Sequence, residues 1–206
     1  MIKTDREFSE AVERAVRAAE RGTSAELIVV VASRSGSYLD TALTVGAAAA
    51  TATLLVALFA PISLRPAAVA IEVPLAFVVA AWIAHRLPPL VRALIPAARA
   101  KRHVERAAAE HFLAEAVHGT SGRTGLLIYV SLLEERAAIV PDLGLQGRVP
   151  IALLRDVKWG ATDLDRLRTT DDLLRGIAAL GAILRERLPA EGHDKNESPD
   201  APRIFN

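Results

Sequence analysis

The sequence predicts an α/β domain, a small sheet sandwiched between helices, interrupted by a two-helix transmembrane hairpin. Three observations carry this reading. AELIVVVA at 25–32 is apolar apart from Glu26 and rich in Val and Ile, as a strand buried on both faces is. GLLIYVS at 125–131 repeats that pattern far downstream. Between them, no charge falls between Asp40 and Arg65, and a second apolar run follows from Ala67 to Ala84.

The chain opens on a helix. Thr4-Asp5-Arg6-Glu7 has the spacing of a capping box, with the Thr4 hydroxyl on the Glu7 amide. Phe8, Val12, Ala15, Val16 and Ala19 then form one apolar stripe, so the helix covers roughly residues 5 to 20, with Gly22 as its stop. The first strand follows, then a polar loop at Ser33–Ser37. Thr41 to Ala60 is about 20 residues, which at about 1.5 Å each crosses about 30 Å, the thickness of a hydrocarbon core. Pro61 and Pro66 bracket a turn, and the second span, 67–84, contains Glu72 and Pro74. Glu72 lies about 9 Å along the helix from the turn, within reach of the interface, so solvation there accounts for it.

Basic residues set the expected orientation. Lys3, Arg6, Arg14, Arg17, Arg21 and Arg34 precede the spans, and Arg86, Arg92, Arg99, Lys101, Arg102 and Arg106 follow them. The connecting turn carries Arg65 alone, so both ends should be cytoplasmic, in a multi-pass protein of the cell (inner) membrane. Tyr38 and Trp82 sit where an aromatic belt would place them. Ala42, Gly46 and Ala50 on one span, and Ala76, Ala80 and Ala84 on the other, are spaced for close helix packing.

After the spans, Pro88, Pro89 and Pro96 break the chain, and Leu90–Ile95 is suited to lie along the interface. A helix is expected from about Ala97 to Val117, with Val104, Ala108, Phe112 and Ala116 on its apolar face and Gly119 beyond its end. LLEE is a tight link from the second strand to a third, RAAIV at 136–140, which favours a hairpin. A last helix spans Thr169–Arg187, with Asp171 and Asp172 at its positive end. From Pro189 the chain is polar and Pro-containing and reads as a disordered tail. The expected organisation is therefore a first part of the domain at 1–38, the hairpin at 39–87, a basic segment and the rest of the domain at 88–188, and a tail at 189–206. Neither flanking part buries a core alone. Together they make about 130 residues, an ordinary domain, so the hairpin reads as an insertion.

Bulk numbers narrow the function classes. The 206 residues carry a net charge of +1, so no basic field points to nucleic acid. The absence of cysteine excludes disulfides, thiolate metal sites and cysteine nucleophiles. The N-terminus is charged and amphipathic, without the apolar core of a signal peptide. No P-loop, nucleophile elbow, zincin motif or dinucleotide fingerprint is present.

SAELIVVVASRSGSYLD, the two spans, and HGTSGRTGLLIYVSLLEERAAIVPDLGLQGRVP together resemble the TPM domain family, in its bacterial membrane branch with two helices inserted after the first strand. The resemblance implies a small sheet between helices that works at or beside a membrane. Relatives are described variously as acid phosphatases, as accessory factors for membrane complexes and as calcium binders, so no single activity transfers. Many relatives carry an Asp-Asp pair and a basic residue after the second strand; here Glu134, Glu135 and Arg136 occupy those positions, and Asp142-Leu143-Gly144 stands for the glycine motif after the third strand. Glu134, Glu135 and Asp142 are thus the candidate ligands of a divalent cation such as calcium, which takes six to eight oxygens. Glu is one methylene longer than Asp, and acidic turn residues are commonly just solvated.

Two further clusters invite chemistry. His111, Glu115 and His118 share one helix face at a spacing that suits a transition metal or a solvated face. Ser121, Arg123 and Thr124 in a Gly-rich turn suit an anion, or simply a turn into a strand. The functional expectation is an interaction or accessory module for a membrane complex, with the lipid bilayer and a membrane-protein partner or a second copy as its partners, and with metal-dependent phosphohydrolysis as the alternative.

Overall fold

The computed structural model describes residues 2–61, 65–120, 122–159, 167–190 and 199–205. Its helices are α1 (Arg6–Glu20), α2 (Leu39–Phe59), α3 (Pro66–Arg86), α4 (Pro88–Leu94), α5 (Ala97–Ala114), α6 (Leu143–Gln146), α7 (Ile151–Arg155) and α8 (Thr170–Arg187). Its strands are β1 (Glu26–Ala32), β2 (Gly125–Ser131), β3 (Arg136–Pro141) and β4 (Arg203–Phe205). Two compact units result: one joins 1–35 to 100–206, the other is 36–99. The short helix α4 therefore falls with the hairpin, whereas the sequence placed it with the returning domain.

The first unit is built on a mixed sheet in the order β3-β2-β1-β4. Strands β1 and β2 pair in parallel over their whole length, from Glu26 opposite Gly125 to Ala32 opposite Ser131. The β2–β3 hairpin is antiparallel, and β4 joins β1 in parallel at Val30–Ala32. Because strand side chains alternate, β1 and β2 feed two cores. Leu27, Val29, Val31, Leu126, Ile128 and Val130 pack with Phe8, Val12 and Val16 of α1 and Leu173, Ile177, Leu180 and Leu184 of α8. Ile28, Val30, Leu127 and Tyr129 pack on the other face with Val104, Ala107 and Ala108 of α5. The architecture is helix–sheet–helix, and α5 is the crossover that parallel pairing of β1 and β2 requires.

Local chemistry sets the helix ends. Asp5, not Thr4, caps α1: its Oδ1 accepts from the Phe8 amide at 2.9 Å. At α8 the box is complete, with the Thr169 hydroxyl accepting from the Asp172 amide and Asp172 accepting from the Thr169 amide. Burial would raise the Asp172 carboxyl, but amides of Arg168 and Thr169, the Thr169 hydroxyl and the Arg175 charge outweigh it and hold it low. Gly181 lets α8 approach α1, since a Cβ there would sit 2.7 Å from Ala19. Helix α5 ends at Ala114, earlier than expected, where Ala116 turns left-handed at φ 51° before a 3-10 turn at Val117–Gly119.

The expected disordered tail needs correction. Residues 191–198 lie outside the described residues, but Arg203–Phe205 form the edge strand β4. Its anchors are polar as well as backbone. Arg203 pairs with Glu115, Asp200 accepts from Arg17 at 3.0 Å, and the Ser33 amide donates to the Phe205 carbonyl. A composition-based reading misses such a strand because three residues carry no periodicity.

In the second unit α2 and α3 pack on each other, each a little longer than the expected span. Gly46 is at their contact: a Cβ there would lie 2.8 Å from the Phe77 carbonyl oxygen and 3.0 Å from the Ala81 side chain. Ala42 and Ala84 are buried, as the small-residue spacing requires. Both helices are long and apolar enough to cross a membrane. Only 11% and 6% of their apolar windows are buried, whereas a core helix of a water-soluble protein is mostly buried. Leu58, Phe59, Ile71, Val78 and Trp82 are among the large side chains left facing outward.

The outer edge of β1 has an unusual partner. Where β4 does not reach, the Glu20 side chain takes its place, accepting from the Leu27 amide at 2.8 Å. Burial pushes the Glu20 carboxyl from its ordinary 4.5 up to about 8; the Leu27 amide opposes this, Glu26 and Asp200 add to it, and Arg17 opposes it. The folded chain therefore holds a proton that the unfolded chain releases near 4.5. Stability should fall as pH rises from about 4.5 to about 8 and then level off. In Glu20→Gln that slope is expected to flatten, measured as urea midpoints at about pH 5 and about pH 8.5. Equal slopes in the two proteins would show that Glu20 does not titrate in this window.

Candidate functional site

The three parallel strands β1, β2 and β4 end on the same side of the sheet, where crevices in α/β sheets receive ligands. A cleft of about 430 Å³ lies there. Ala32–Ser35 leave β1 along one wall, and α5 supplies Ala107, Glu110 and His111. Tyr129 of β2 and Phe205 of β4 complete the lining. Every one of these residues belongs to the first unit.

The polar groups of the cleft are wired together. The Ser35 hydroxyl donates to the Tyr129 hydroxyl at 3.1 Å, and the Ser35 amide donates to Glu134 Oε1 at 3.1 Å. The Ser131 hydroxyl donates to Glu134 Oε2. Ser131 is fully buried and Glu134 is 6% exposed, so this carboxyl is a structural clamp between the end of β2 and the loop after β1. Burial raises the Tyr129 hydroxyl above its ordinary value; the bond from Ser35 opposes that, and the Glu134 and Glu110 charges add to it. Tyr129 therefore stays protonated at neutral pH and can donate as well as accept. The His111 ring stacks on Tyr129 at 5.3 Å and meets Phe205 at 4.7 Å, and its buried Nδ1 has no hydrogen-bond partner among the described residues. Such an atom is a ready contact for a ligand's polar group.

The carboxylates singled out in the sequence do not meet. Glu134 and Glu135 lie in the β2–β3 turn, whereas Asp142 follows the far end of β3, about 20 Å along the strand. Glu135, held left-handed at φ 51°, pairs with Arg168 at 3.2 Å. Asp142 caps α6 through the Leu143 amide at 2.7 Å and takes two bonds from Arg123, at 3.0 and 3.3 Å. Three carboxylates so spread, each bound within the protein, do not fit one calcium ion. Among the described residues no group of three or more His, Asp or Glu side chains is placed to hold a metal.

The helix-face triad is dispersed too. His111 is in the cleft, Glu115 holds Arg203, and His118 lies beside the Phe112 ring at 6.4 Å. In the Gly-rich turn, Arg123 is engaged by Asp142, Thr124 is buried, and Ser121 lies outside the described residues. The sequence reading missed Ser35, Tyr129 and Phe205. A tyrosine inside an otherwise aliphatic strand was the available signal, since a buried phenol needs a partner.

Fold and cleft define a class: a helix–sheet–helix α/β domain with a crevice at the carboxyl ends of its parallel strands and an apolar helical hairpin inserted in its crossover. Among solved structures the chain is similar to the NMR structure of the BA42 protein from the psychrophilic bacterium Bizionia argentinensis, with a TM-score of 0.56 and 16% identity over 97% of this chain and 94% of that one. At that identity the likeness speaks for the fold. No protein-family model matches the chain, and no curated protein matches it.

Glu134→Ala is expected to cost about 1–3 kcal/mol, because it strands the buried Ser131 hydroxyl and the Ser35 amide. Chemical denaturation reads this directly; a change within about 0.3 kcal/mol would remove the clamp role.

Proposed function

We propose that this chain is a membrane-anchored TPM-type domain that serves a membrane complex as an interaction or accessory module, with the domain and both termini on the cytoplasmic side. One observation carries the reading: α2 and α3, apolar and largely unburied, interrupt the crossover between paired strands of one sheet. A domain threaded in this way is tied to the bilayer through both of its connections and cannot act far from it. The Lys and Arg excess on the two flanks, against Arg65 in the turn, supports the orientation. The alternative, a metal-dependent phosphohydrolase, needs Glu134 and Asp142 to act together, and they stand at opposite ends of β3.

The test uses the full chain in lipid nanodiscs with p-nitrophenyl phosphate, with and without calcium or magnesium. The expected result is no cation-dependent turnover above background. Cation-dependent turnover that disappears in Glu134→Gln and in Asp142→Asn would sink the accessory reading. In native membranes, the chain should migrate in an assembly larger than its own monomer on blue native electrophoresis; a monomer alone would also count against it.

A further inference from the structure

The outer edge of β3 carries an opening that the cleft does not explain. Ladder parity follows from the Asp142 amide donating to the Gly125 carbonyl. Residues 136, 138, 140 and 142 turn their backbone groups toward β2, so Ala137, Ile139 and Pro141 turn theirs outward. Two ends of this edge are already closed. Gln146 Nε2 donates to the Pro141 carbonyl at 2.9 Å, and the Leu167 amide donates to the Glu135 carbonyl at 2.9 Å. Proline has no amide to satisfy there, as suits an edge strand. Between these closures, the outward N–H and C=O groups of Ala137 and Ile139 make no hydrogen bond among the described residues.

That edge runs along a groove of about 730 Å³. Val104 and Ala108 of α5 form one wall, and Ile151, Arg155 and Trp159 form the other. Arg136 and Arg155 stand along the groove without a carboxylate partner among the described residues, while Lys101 is 3.8 Å from Glu105. The features are complementary to one kind of occupant. Two donors and two acceptors at strand spacing ask for an extended backbone, the apolar walls ask for small aliphatic side chains, and the two guanidinium groups ask for carboxylates.

We propose that the β3 edge docks an extended, carboxylate-bearing peptide segment of a partner protein, which adds a fifth strand to the sheet between α5 and α7; this rests on the interaction-module reading and gives that module its contact surface. Among the described residues the opposite edge offers a shorter template, because β4 has three residues and the Glu20 side chain takes the place beside Leu27 of β1.

The probe is a synthetic peptide of about nine residues alternating valine and threonine between terminal aspartates, long enough to pass the open edge. It is added to the full chain in nanodiscs, with amide exchange followed at Ala137 and Ile139. The expected result is slowed exchange at those two amides and binding that weakens with salt. Ala137→Pro removes one outward donor and leaves the β2 ladder intact, and should weaken binding about tenfold. Arg155→Glu leaves the backbone untouched and should weaken it about fivefold, with partial recovery for a lysine-flanked peptide. Equal binding by the wild type and Ala137→Pro would overturn the proposal, as would unchanged exchange at both amides. Protection that rises with protein concentration and no peptide would assign the edge to a second copy and likewise overturn it. A native-membrane assembly that survives Ala137→Pro, together with a peptide that fails to bind the wild type, would sink the docking site and leave the accessory reading standing.

Discussion

Parallel pairing of β1 with β2 is the constraint on which the rest depends. Antiparallel strands can be joined by two residues, but parallel strands need a crossover of a dozen residues or more. The seven-residue register from Glu26 opposite Gly125 to Ala32 opposite Ser131 therefore obliges the chain to leave the sheet and return on one face. Helix α5 does this, with Val104, Ala107 and Ala108 against Ile28, Val30 and Leu127. The hairpin of α2 and α3 occupies the same crossover, ahead of α5. Its position is permitted because a crossover fixes where the chain re-enters the sheet and not how long it takes to do so. The entropic cost of a longer connection grows only slowly with its length.

The same pairing places the cleft. Parallel strands end together, so Ser33, Ser35 and Tyr129 arrive at one edge with no further device. What the chain adds is a clamp. Glu134 receives the Ser35 amide and the Ser131 hydroxyl, joining the loop after β1 to the end of β2. The carboxylate that looked like a metal ligand in the sequence is thus occupied in holding the shape of the cleft. Beside it, between two aromatic rings, His111 keeps one buried nitrogen that no described residue matches.

Much of the fold was legible because its signals are long. AELIVVVA and GLLIYVS are apolar on both faces apart from Glu26 and Ser131, and both became central strands with every residue buried. The α1 stripe of Phe8, Val12, Val16 and Ala19 was buried as its spacing required. Short elements were not legible. Strand β4 has three residues, and α6 and α7 have four and five, too few for a period to show. The α1 cap failed differently: Thr4 and Asp5 are both good caps, and only the backbone geometry selects Asp5. The site was less legible than the fold. The resemblance grouped Glu134, Glu135 and Asp142 as one candidate set, but a strand of six extended residues keeps a turn and the following cap apart. Residues that do converge, such as Ser35 with Tyr129 and Phe205 with His111, come from distant segments and share no motif.

Every strand of the sheet lies outside the hairpin, so the sheet should be complete without it. The decisive measurement replaces residues 37–98 by a flexible linker of about 12 residues. The expected product is a water-soluble chain that unfolds cooperatively and whose NMR contacts retain Val29 beside Ile128. A chain that is unfolded, or folded without the β1–β2 pairing, would contradict it.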